Sequence, residues 1–396
     1  MSEKRRDNKN RILKTGESQR KDGRYAYKYI DTFGKPQFVY AWKLVATDRT
    51  PMGKRDSQSL RDKVKEIQKD LNDNIDSIGK KITVCQLYQK QINSNANVKR
   101  NTELGRQYLM NILENDKLGS RSIDNVKLSD AKNWAIRMKE KGYAYQTINN
   151  YKRSLKASFH TAVQDDYIRK NPFDFALSSV LENTTEEKKA LSEEQEEKLL
   201  MFIKQDKLYY KYYDEFVLLL KTGLRISELC GLTKKDLDFQ NRIINIDHQL
   251  LKDIKLGYYI SVPKTKNGIR QIPMSGEIYQ LLQNILKKRK NLAPIVIDGY
   301  HDFLFLNRKG YPRAALDYPS VFRGIVRKYN KIHDETLFNI TPHTLRHTFC
   351  TRLANAGMNP KALQYVMGHA NITTTLNLYT HASFTTVQTE MLRLIG

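Results

Sequence analysis

The chain has 396 residues, 28% of them charged and 40% hydrophobic, which is typical of a globular protein with two or three domains. No apolar run reaches the roughly 20 residues of a membrane span, and the polar N-terminus has no signal-peptide core, so we expect a cytoplasmic protein without membrane contact. The formal net charge of +25 favours a polyanionic partner, above all nucleic acid, although a basic solvated surface has the same composition.

The first predicted domain, residues 1–72, combines a polar arm with a small sheet. Residues 1 to about 20 are basic and almost without apolar side chains, so we expect an arm that is disordered in the free protein. Two runs of alternating aromatic residues flank a turn at Gly34, which predicts a β-hairpin covered by a helix near Leu60. Basic residues on the opposite face suit DNA, and the alternative is a sheet whose aromatic residues are all core. The expected aromatic positions are Tyr25, Tyr27, Tyr29, Phe38, Tyr40 and Trp42, and the expected DNA contacts are Arg24 and Lys28.

The second predicted domain, residues 82–180, has the apolar spacing of four amphipathic helices. Two of these helices begin with basic, amide-rich faces, which suit a helix that lies in the major groove and reaches bases and phosphates. A solvated helix face is the alternative for either of them. The expected DNA contacts are Lys99, Arg100, Asn149, Lys152 and Arg153.

The third predicted domain, residues 190–396, opens with a helix and continues with a short β section. Ser192 is a candidate N-cap with Gln195 reaching back to it, a pair that marks a helix start. Three alternating runs within residues 242–273 predict strands, with a turn at 264–268. The predicted fold class is therefore multidomain α+β: a small β-sheet domain, a four-helix domain, and a mainly helical domain with a small antiparallel sheet.

Four motifs in the third domain carry side chains suited to phosphate chemistry. Arginine and histidine bind and protonate phosphate oxygens, and a tyrosine hydroxyl can attack phosphorus. Arg225 and Glu228 share a helix face, where an exposed ion pair is the ordinary alternative. His343 and Arg346 follow a Thr-Pro pair, a helix start whose free amide groups attract anions. The other two motifs are the basic turn with Lys264 and Lys266, and Gly368 with His369 followed by Tyr379.

The order of these motifs resembles that of the tyrosine recombinase family, also called the phage integrase family. The series is Gly-Leu-Arg, a lysine turn, His-x-Leu-Arg-His-Thr, Gly-His and a final tyrosine. Each motif by itself is ordinary, whereas the whole series is specific, and the resemblance covers residues 82–396. The N-terminal sheet resembles the arm-binding domain of integrases from phages and conjugative transposons.

The resemblance implies a role for each of these side chains. Tyr379 is the nucleophile that forms a covalent 3′-phosphotyrosine, with its pKa lowered in effect by the cationic site. Arg225 and Arg346 bind the non-bridging phosphate oxygens through charge-assisted hydrogen bonds and take the place of a metal ion. Lys264 protonates the 5′-oxygen leaving group, with Lys266 as the alternative in the same turn. The remaining assignments are His343 as acid or base, His369 as a hydrogen-bond partner of a non-bridging oxygen, and Glu228 and His347 as supports.

The resemblance also implies how the enzyme handles DNA. The phosphotyrosine is resealed by the 5′-hydroxyl of another strand, so neither ATP nor a cofactor is expected, and no carboxylate cluster or cysteine spacing indicates a metal site. Double-stranded DNA at the element ends and the target site is held by a homo-oligomer, a dimer on one site and a tetramer around the Holliday junction. An excisionase is a candidate further partner. The apolar residues within 383–395 are expected to dock on a neighbouring protomer, and the alternative is the last helix of their own domain.

Two other functions share parts of this pattern. A type IB topoisomerase uses the same phosphotyrosine chemistry to relax supercoils without joining two partners, but the arm-like domain and the apolar tail favour a recombinase. A DNA-binding regulator without catalysis is the alternative from another class, and the presence of all the expected catalytic side chains argues against it. The sequence therefore predicts a site-specific DNA recombinase that integrates and excises a mobile element.

Overall fold

The computed structural model forms two compact units, Met1–Glu186 and Glu187–Gly396. It describes residues 5–31, 34–73, 75, 81–94, 98, 100–185, 189–253, 255–263, 266–289, 295–334, 336–379, 388, 391, 392 and 395. Among these residues, no helix has the length and apolar character needed to cross a membrane. The domain bounds 1–72, 82–180 and 190–396 stay predictions.

The first unit begins with three strands and a helix: β1 (Glu17–Gln19), β2 (Tyr25–Ile30), β3 (Pro36–Ala41) and α1 (Leu60–Asn72). The strands form an antiparallel sheet in the order β1-β2-β3. Helix α1 covers one face, where Tyr25 and Ala41 are paired across the sheet and pack with Leu44, Leu60 and Val64. The predicted hairpin and its covering helix are confirmed.

The polar N-terminal stretch is part of this fold. β1 pairs with β2 along its whole length, and Leu13 is buried in the core beside α1. The Glu17 carboxylate is also buried and accepts two hydrogen bonds from Arg61 on α1, both at 3.1 Å. The expectation of a disordered arm is therefore wrong for residues 5–20, because a buried ion pair and a backbone ladder hold a stretch that has few apolar side chains.

The aromatic residues of the sheet divide between its two faces. Lys28 pairs with Phe38 and Ala26 with Tyr40, so these positions of β3 point away from α1. Phe38 is 55% exposed and Tyr40 37% exposed, and the Lys28 ammonium lies 6.0 Å from the centroid of the Phe38 ring. The alternative of a sheet whose aromatic residues are all core does not hold: Tyr25 and Tyr27 of β2 pack in the core with α1, whereas Phe38 and Tyr40 of β3 share the open face with basic residues.

The rest of the first unit contains four helices: α2 (Val84–Ser94), α3 (Arg100–Glu114), α4 (Leu128–Glu140) and α5 (Tyr145–Gln164). Fully buried aromatic rings meet at its centre, with centroids 5.9 Å apart for Trp134 and Phe173 and 5.2 Å apart for Phe159 and Phe173. The apolar spacing of the sequence therefore predicted these four helices correctly.

The second unit is mainly helical and contains two small antiparallel sheets. Its helices are α6 (Glu193–Gln205), α7 (Tyr213–Thr222), α8 (Ile226–Gly231), α9 (Gly276–Lys287), α10 (Tyr318–Ile332), α11 (Pro342–Asn355), α12 (Pro360–Met367) and α13 (Thr373–Leu376). Its strands are β4 (Leu237–Asp238), β5 (Ile243–Ile246), β6 (Gln249–Asp253), β7 (Gly257–Ser261) and β8 (Arg270–Pro273). One sheet has the order β4-β5-β8, and β6 pairs with β7. β5, β7 and β8 confirm the three predicted runs, whereas the sequence pattern did not predict β4 and β6.

Helix α7 lies at the centre of this unit. Residues 216–220 are all buried, because this helix is apolar on every side. Gly223 ends it in the left-handed conformation, with φ of 63°, and a Cβ at this position would lie 2.4 Å from Cδ1 of Phe349 on α11. Glycine at 223 therefore lets the end of α7 approach α11 closely.

Local capping sets the ends of the helices that carry the site. Ser192 and Gln195 form the predicted capping box of α6. Thr341 caps α11, and Asn359 caps α12 by accepting hydrogen bonds from two backbone N–H groups. Gly368, with φ of 59°, ends α12 in the left-handed conformation that glycine adopts without strain. The predicted starts of α6 and α11 are confirmed.

Candidate active site

Arg225 is held by Glu228 at the start of α8. The Arg225 Nη1 donates to Oε1 of Glu228 at 2.6 Å, and the Arg225 backbone N–H donates to Oε2 at 2.9 Å. The Glu228 side chain is 3% exposed, whereas that of Arg225 is 37% exposed. Burial opposes the ionised carboxylate, but hydrogen bonds from Arg270 and the charges of the neighbouring arginines lower the pKa of Glu228 to about 2. The buried Glu228 carboxylate thus anchors Arg225, and the Arg225 side chain stays partly accessible.

Arg270 is a member of this site that the sequence analysis missed. It opens β8, and its guanidinium binds both oxygens of Glu228, with Nη2 at 2.8 Å from Oε2 and Nη1 at 3.0 Å from Oε1. The signal in the sequence is an arginine at an inward position of an alternating strand, where Ile272 is the next inward residue. A buried charge at such a position indicates a charged partner elsewhere in the chain.

Arg346 lies on α11 and is 4% exposed. Its Nη1 donates to the Gly223 carbonyl at 2.6 Å, and its Nη2 donates to the Met367 carbonyl. Burial and the nearby Arg225 guanidinium lower the pKa of Arg346 to about 9, which still leaves it protonated at neutral pH. The structure therefore brings the two predicted arginines together.

The C-terminal end of α12 is the meeting point of three arginines. The carbonyls of residues 366, 367 and 368 accept hydrogen bonds from Nε of Arg270, Nη2 of Arg346 and Nη2 of Arg225, respectively. Carbonyls in the last turn of a helix have no partner within the helix, and the helix dipole makes that end negative. The end of α12 thus stabilises three cations that would otherwise repel one another.

His369 directly follows this helix end. Its Nδ1 lies 3.0 Å from the hydroxyl of the buried Thr375. Burial and the charges of Arg346, Arg225 and Arg270 lower the pKa of His369 to about 4, so the imidazole is neutral at physiological pH. The charge of His343 contributes to the same shift, which places this exposed residue near His369.

Tyr379 has a partner at the other end of α12. Its hydroxyl donates to the Met358 carbonyl at 2.5 Å, directly before the Asn359 cap. Its ring packs against an apolar cluster that includes Leu363 and Cys350. Burial and the Cys350 thiol raise the pKa of Tyr379, so the predicted lowering of its pKa by the cationic site is wrong for this conformation. The eight residues of α12 span about 12 Å, which separates the carbonyl that holds Tyr379 from those that hold the arginines.

The turn that carries the predicted lysine contacts the same helix end. Lys264 itself lies outside the described residues, and Lys266 is exposed. Asn267 donates from Nδ2 to the His369 carbonyl at 3.2 Å, and a Cβ on Gly268 would lie 2.3 Å from Cβ of Pro263. The described part of the turn is therefore held close to His369, and the choice between the two lysines stays open.

The predicted DNA contacts of the sheet lie on its open face. The Arg24 guanidinium stacks on Tyr40 and Trp42, at 5.5 Å and 5.7 Å from the ring centroids, and Lys28 neighbours Phe38. Lys28, Phe38 and Tyr40 are exposed, whereas Arg24 and Trp42 are half-buried. We call the surface formed by Arg24, Lys28, Phe38, Tyr40 and Trp42 the open sheet face.

The predicted contacts of the four-helix region do not all share one surface. Arg153 is exposed on α5 and Asn149 is half-buried on it, while Arg100 begins α3. Lys99 lies outside the described residues. Lys152 is 5% exposed, and its ammonium lies 4.5 Å from the centroid of the Phe175 ring, so its expected place on an exposed DNA-binding face is wrong.

Asp236, Asp247 and His248 form the group of candidate metal ligands found among the described residues. Nε2 of His248 lies 2.8 Å from the Gly231 carbonyl, and Nδ1 lies 2.5 Å from Asp247. Oδ2 of Asp236 accepts hydrogen bonds from the backbone and the hydroxyl of Thr233. These atoms already have protein partners, which fits a structural cluster.

Three family models together match most of the chain. They are the DNA binding domain of Tn916 integrase over residues 1–71, the phage integrase SAM-like domain over 83–180 and the phage integrase family over 189–386. The transposase from transposon Tn1545 of Streptococcus agalactiae is 67% identical over 394 residues, which cover 100% of this chain and 97% of that protein.

Solved structures of the Tn1549 transposon integrase are similar to this chain. One of them contains the substitution R225K and a circular intermediate DNA, and another contains Y379F and transposon right end DNA. Both are 63% identical with a TM-score of 0.76. They cover 79% and 80% of this chain, and the matches extend over 99% and 100% of the solved chains.

Proposed function

We propose a function for this chain from the family to which it belongs: it is a tyrosine recombinase of the phage integrase family, of the Tn916 and Tn1545 conjugative-transposon type. It is a transposon integrase that cuts and rejoins DNA. We infer that its substrates are the ends of its element and the circular intermediate, because the Tn1549 integrase was solved with both kinds of DNA. The observation that carries the proposed mechanism is the meeting of Arg225 and Arg346 beside His369.

The two arginines stabilise the phosphate during strand cleavage. Attack on phosphorus produces a pentacoordinate state with additional negative charge on the non-bridging oxygens. Arg225, whose side chain is accessible, binds these oxygens with its fork of N–H groups, and the buried Arg346 adds a second positive charge behind it. In the free protein, carbonyls at the end of α12 accept hydrogen bonds from both guanidiniums, so the two side chains are already positioned before the phosphate binds.

The tyrosine and the proton donors complete the reaction. The Tyr379 oxygen forms a bond to phosphorus as the bond to the 5′-oxygen breaks, which leaves a 3′-phosphotyrosine and a 5′-hydroxyl. Lys264, or Lys266 in the same turn, gives the proton to the 5′-oxygen, and His343 receives the proton of the tyrosine. Neutral His369 offers Nε2 to a non-bridging oxygen, since its Nδ1 faces Thr375. Resealing by another 5′-hydroxyl reverses these steps and conserves the phosphoester bond energy.

DNA is held by surfaces of both units. In the first unit, the open sheet face combines cations with exposed rings and suits contacts to phosphates and bases. On the helices of that unit, Arg100, Asn149 and Arg153 are proposed contacts, together with Lys99. The net charge of +25 supports long-range attraction to DNA through the summed field of the protein.

Recombination needs more than one copy of the chain. We infer that a dimer occupies one DNA site and that a tetramer joins two sites through a Holliday junction in the cytoplasm, with an excisionase as the partner for removal of the element. Residues 391, 392 and 395 of the tail are exposed and apolar, which supports docking of the tail on a neighbouring protomer. The match to transposon proteins over the whole chain favours a recombinase over a topoisomerase.

A nicked duplex of the element end tests this function. The nick lets the short 5′ fragment diffuse away, so a covalent protein–DNA adduct accumulates and can be seen on a denaturing gel. Wild-type protein is expected to form the adduct, and Tyr379→Phe is expected to bind the duplex without forming it. Tyr365→Phe is the matched control, because this tyrosine of α12 is exposed and its hydroxyl accepts a hydrogen bond from the Gln271 backbone N–H. An adduct formed by Tyr379→Phe would contradict the assignment of the nucleophile.

A two-duplex assay separates the recombinase from the topoisomerase. Wild-type protein should give a recombinant product from two duplexes that carry element ends. Relaxation of supercoiled DNA without any recombinant product would favour the topoisomerase.

A further inference from the structure

Arg270 is the most deeply buried of the three arginines at this site. Its side chain is 0% exposed, so it cannot contact the phosphate of a bound DNA directly. Removing a guanidinium from water is costly unless charged and polar partners surround it. The identity of these partners therefore indicates what the residue does.

The first partner of Arg270 is the carboxylate that holds Arg225. Nη1 and Nη2 of Arg270 bind the two oxygens of Glu228 at 3.0 Å and 2.8 Å, a bidentate arrangement that fixes the plane of the carboxylate. The same two oxygens accept the side chain and the backbone N–H of Arg225. The direction of the Arg225 guanidinium thus depends on a carboxylate whose orientation Arg270 sets.

The other partners of Arg270 are backbone carbonyls of two further segments. Nε donates to Val366 in the last turn of α12 at 2.6 Å, and Nη1 donates to Gly268 of the lysine turn at 3.2 Å. A Cβ on Gly368 would lie 3.2 Å from Nη1 of Arg270 and 2.9 Å from the Asn267 carbonyl, so the two segments meet tightly around the guanidinium. One side chain therefore contacts α8, the lysine turn and the end of α12.

We propose that Arg270 is a positioning residue for DNA strand cleavage. It fixes Glu228 and the end of α12, and through them it sets where Arg225 meets the scissile phosphate. A misplacement of about 1 Å in a reacting or binding group can lower a rate about 100-fold. Loss of Arg270 thus lowers the cleavage rate without removing a contact to DNA. This inference rests on the proposed function, because it concerns the step in which Arg225 binds the phosphate.

A second buried arginine provides a matched control. Arg313 binds both oxygens of Glu215 through Nη1, at 2.6 Å and 2.8 Å, and lies 4.3 Å from the centroid of the Tyr212 ring. Its side chain is 14% exposed, and Glu215 is 2% exposed. The two pairs resemble each other in burial, but the Arg313 pair does not share a carboxylate or a carbonyl with Arg225. The Arg313→Gln variant therefore measures how much stability and cleavage rate are lost when a buried ion pair away from Arg225 is broken.

The experiment compares five variants of the full chain on the nicked duplex. They are the single variants Arg270→Gln, Arg270→Lys, Arg313→Gln and Arg225→Lys, and the double variant Arg225→Lys with Arg270→Gln. Urea unfolding first defines conditions in which each variant is folded. Under these conditions the DNA affinity is measured by titration. The single-turnover rate constant of adduct formation is measured at saturating protein. We expect Arg270→Gln to bind DNA within about threefold of wild type and to cleave it about 100-fold more slowly. Arg270→Lys should be intermediate, because an ammonium keeps the charge but cannot form the bidentate pair. Arg313→Gln should cleave within about threefold of wild type.

The double variant shows whether Arg270 acts on cleavage by positioning Arg225 or contributes independently of it. If Arg270 acts through Arg225, the double variant should be no more than about threefold slower than Arg225→Lys alone, because both changes disturb one unit. If the double variant instead loses rate by the product of the two single-variant factors, the residues act independently and the proposal is overturned. Equal cleavage rates of Arg270→Gln and Arg313→Gln would also overturn it. If Arg270→Gln does not fold, the same comparisons are made with Arg270→Lys. Absence of an adduct in wild-type protein would instead overturn the proposed function, which keeps the two failures distinct.

Discussion

The two ends of α12 bind different side chains: arginines at the C-terminal end and Tyr379 at the N-terminal end. At its C-terminal end, three guanidiniums and the Glu228 carboxylate are joined by short hydrogen bonds, and Arg270 and Glu228 are buried. At its N-terminal end, the Tyr379 hydroxyl binds the Met358 carbonyl, and the pKa of this phenol is raised by burial and by a thiol. The proposed phosphate-binding half of the site is thus formed in the free protein, whereas the proposed nucleophile is bound elsewhere.

In the proposed mechanism, this difference separates two requirements for cleavage. Arg225 needs only to exchange its bond with the Gly368 carbonyl for a bond to phosphate, since Glu228 keeps its guanidinium in place. Tyr379 must leave the Met358 carbonyl before it can reach phosphorus. In the proposed mechanism, this arrangement holds an isolated protomer back from cutting, because its Tyr379 hydroxyl is hydrogen-bonded to its own backbone.

Among changes that leave Tyr379 in place, the largest effect on cleavage is expected from Glu228→Gln. This change leaves the Arg270 and Arg225 guanidiniums without their common carboxylate, and breaking a buried ion pair costs about 3–5 kcal/mol of stability. We expect cleavage of the nicked duplex to fall about 1000-fold, since both the position and the charge balance of the arginines are lost. Urea unfolding and single-turnover cleavage measure the two effects.

Glu196→Gln is the control for Glu228→Gln. Glu196 is also buried and is bound by Arg352 and Lys221, at the opposite end of α11 from Arg346. Its loss should lower stability while the folded protein still cleaves at close to the wild-type rate. Equal cleavage by the two variants would contradict the view that Glu228 prepares the arginine end.

A smaller effect is expected from Arg225→Lys. The ammonium keeps the charge but cannot offer a fork of donors to two oxygens, so cleavage should fall about 100-fold while DNA binding is retained. Gel-shift titration and adduct formation on the same duplex measure both quantities. A parallel loss of binding and cleavage would mean that Arg225 contributes mainly to affinity.

The arginine end also contains the parts that sequence reasoning could not supply. The caps of α6, α11 and α12 were predictable, because Ser192, Thr341 and Asn359 act on backbone groups within three residues. Arg270 was missed because its partners lie 42 positions away in Glu228 and 96 positions away in Val366, a pairing that no local pattern encodes.

The other misses have the same origin. Lys152 was expected on an exposed face, but its burial depends on Phe175 from a later loop. The strand β1 is too short and polar to show an alternating pattern, and its place is set by pairing with β2. The Met358 carbonyl that holds Tyr379 is a backbone group, which carries no signal in the sequence. The helices α1 to α6 and α11, five of the strands and the series of motifs were predictable from local patterns, whereas long-range partners were not.

A still smaller effect is expected from Thr375→Val. This isosteric change removes the hydroxyl beside Nδ1 of His369 and leaves the ring without a partner that fixes its orientation. A hydrogen bond of this kind contributes about 1 kcal/mol, so cleavage should fall roughly fivefold. Thr375→Ser keeps the hydroxyl and should remain close to wild type. A Thr375→Val rate equal to that of wild type would show that the orientation of His369 does not limit cleavage.

A further prediction concerns the pH dependence of stability rather than the cleavage rate. Burial and the Arg346 charge lower the pKa of His369 to about 4 in the folded protein, from the ordinary value of 6.5. Between these two values the unfolded chain binds more protons than the folded one, so this contribution is complete above pH 6.5 and is lost as the pH falls towards 4. In His369→Asn, the free energy of unfolding should decline less across this window than in wild type. An unchanged decline in the variant would contradict the assigned environment of His369.

The most direct test of the contrast between the two ends is a titration of Tyr379 itself. A fluorinated tyrosine placed only at position 379 of the full chain titrates near neutral pH, and ¹⁹F NMR reports its ionisation. In the free protein, the phenol should titrate at higher pH than in the same protein unfolded in urea, because burial and the Cys350 thiol raise its pKa. Saturation with an uncut duplex of the element end should lower that pKa, as the hydroxyl leaves Met358 for the arginines. A phenol that titrates below its unfolded value in the free protein would show that the nucleophile already lies in the cationic site, and would contradict the account.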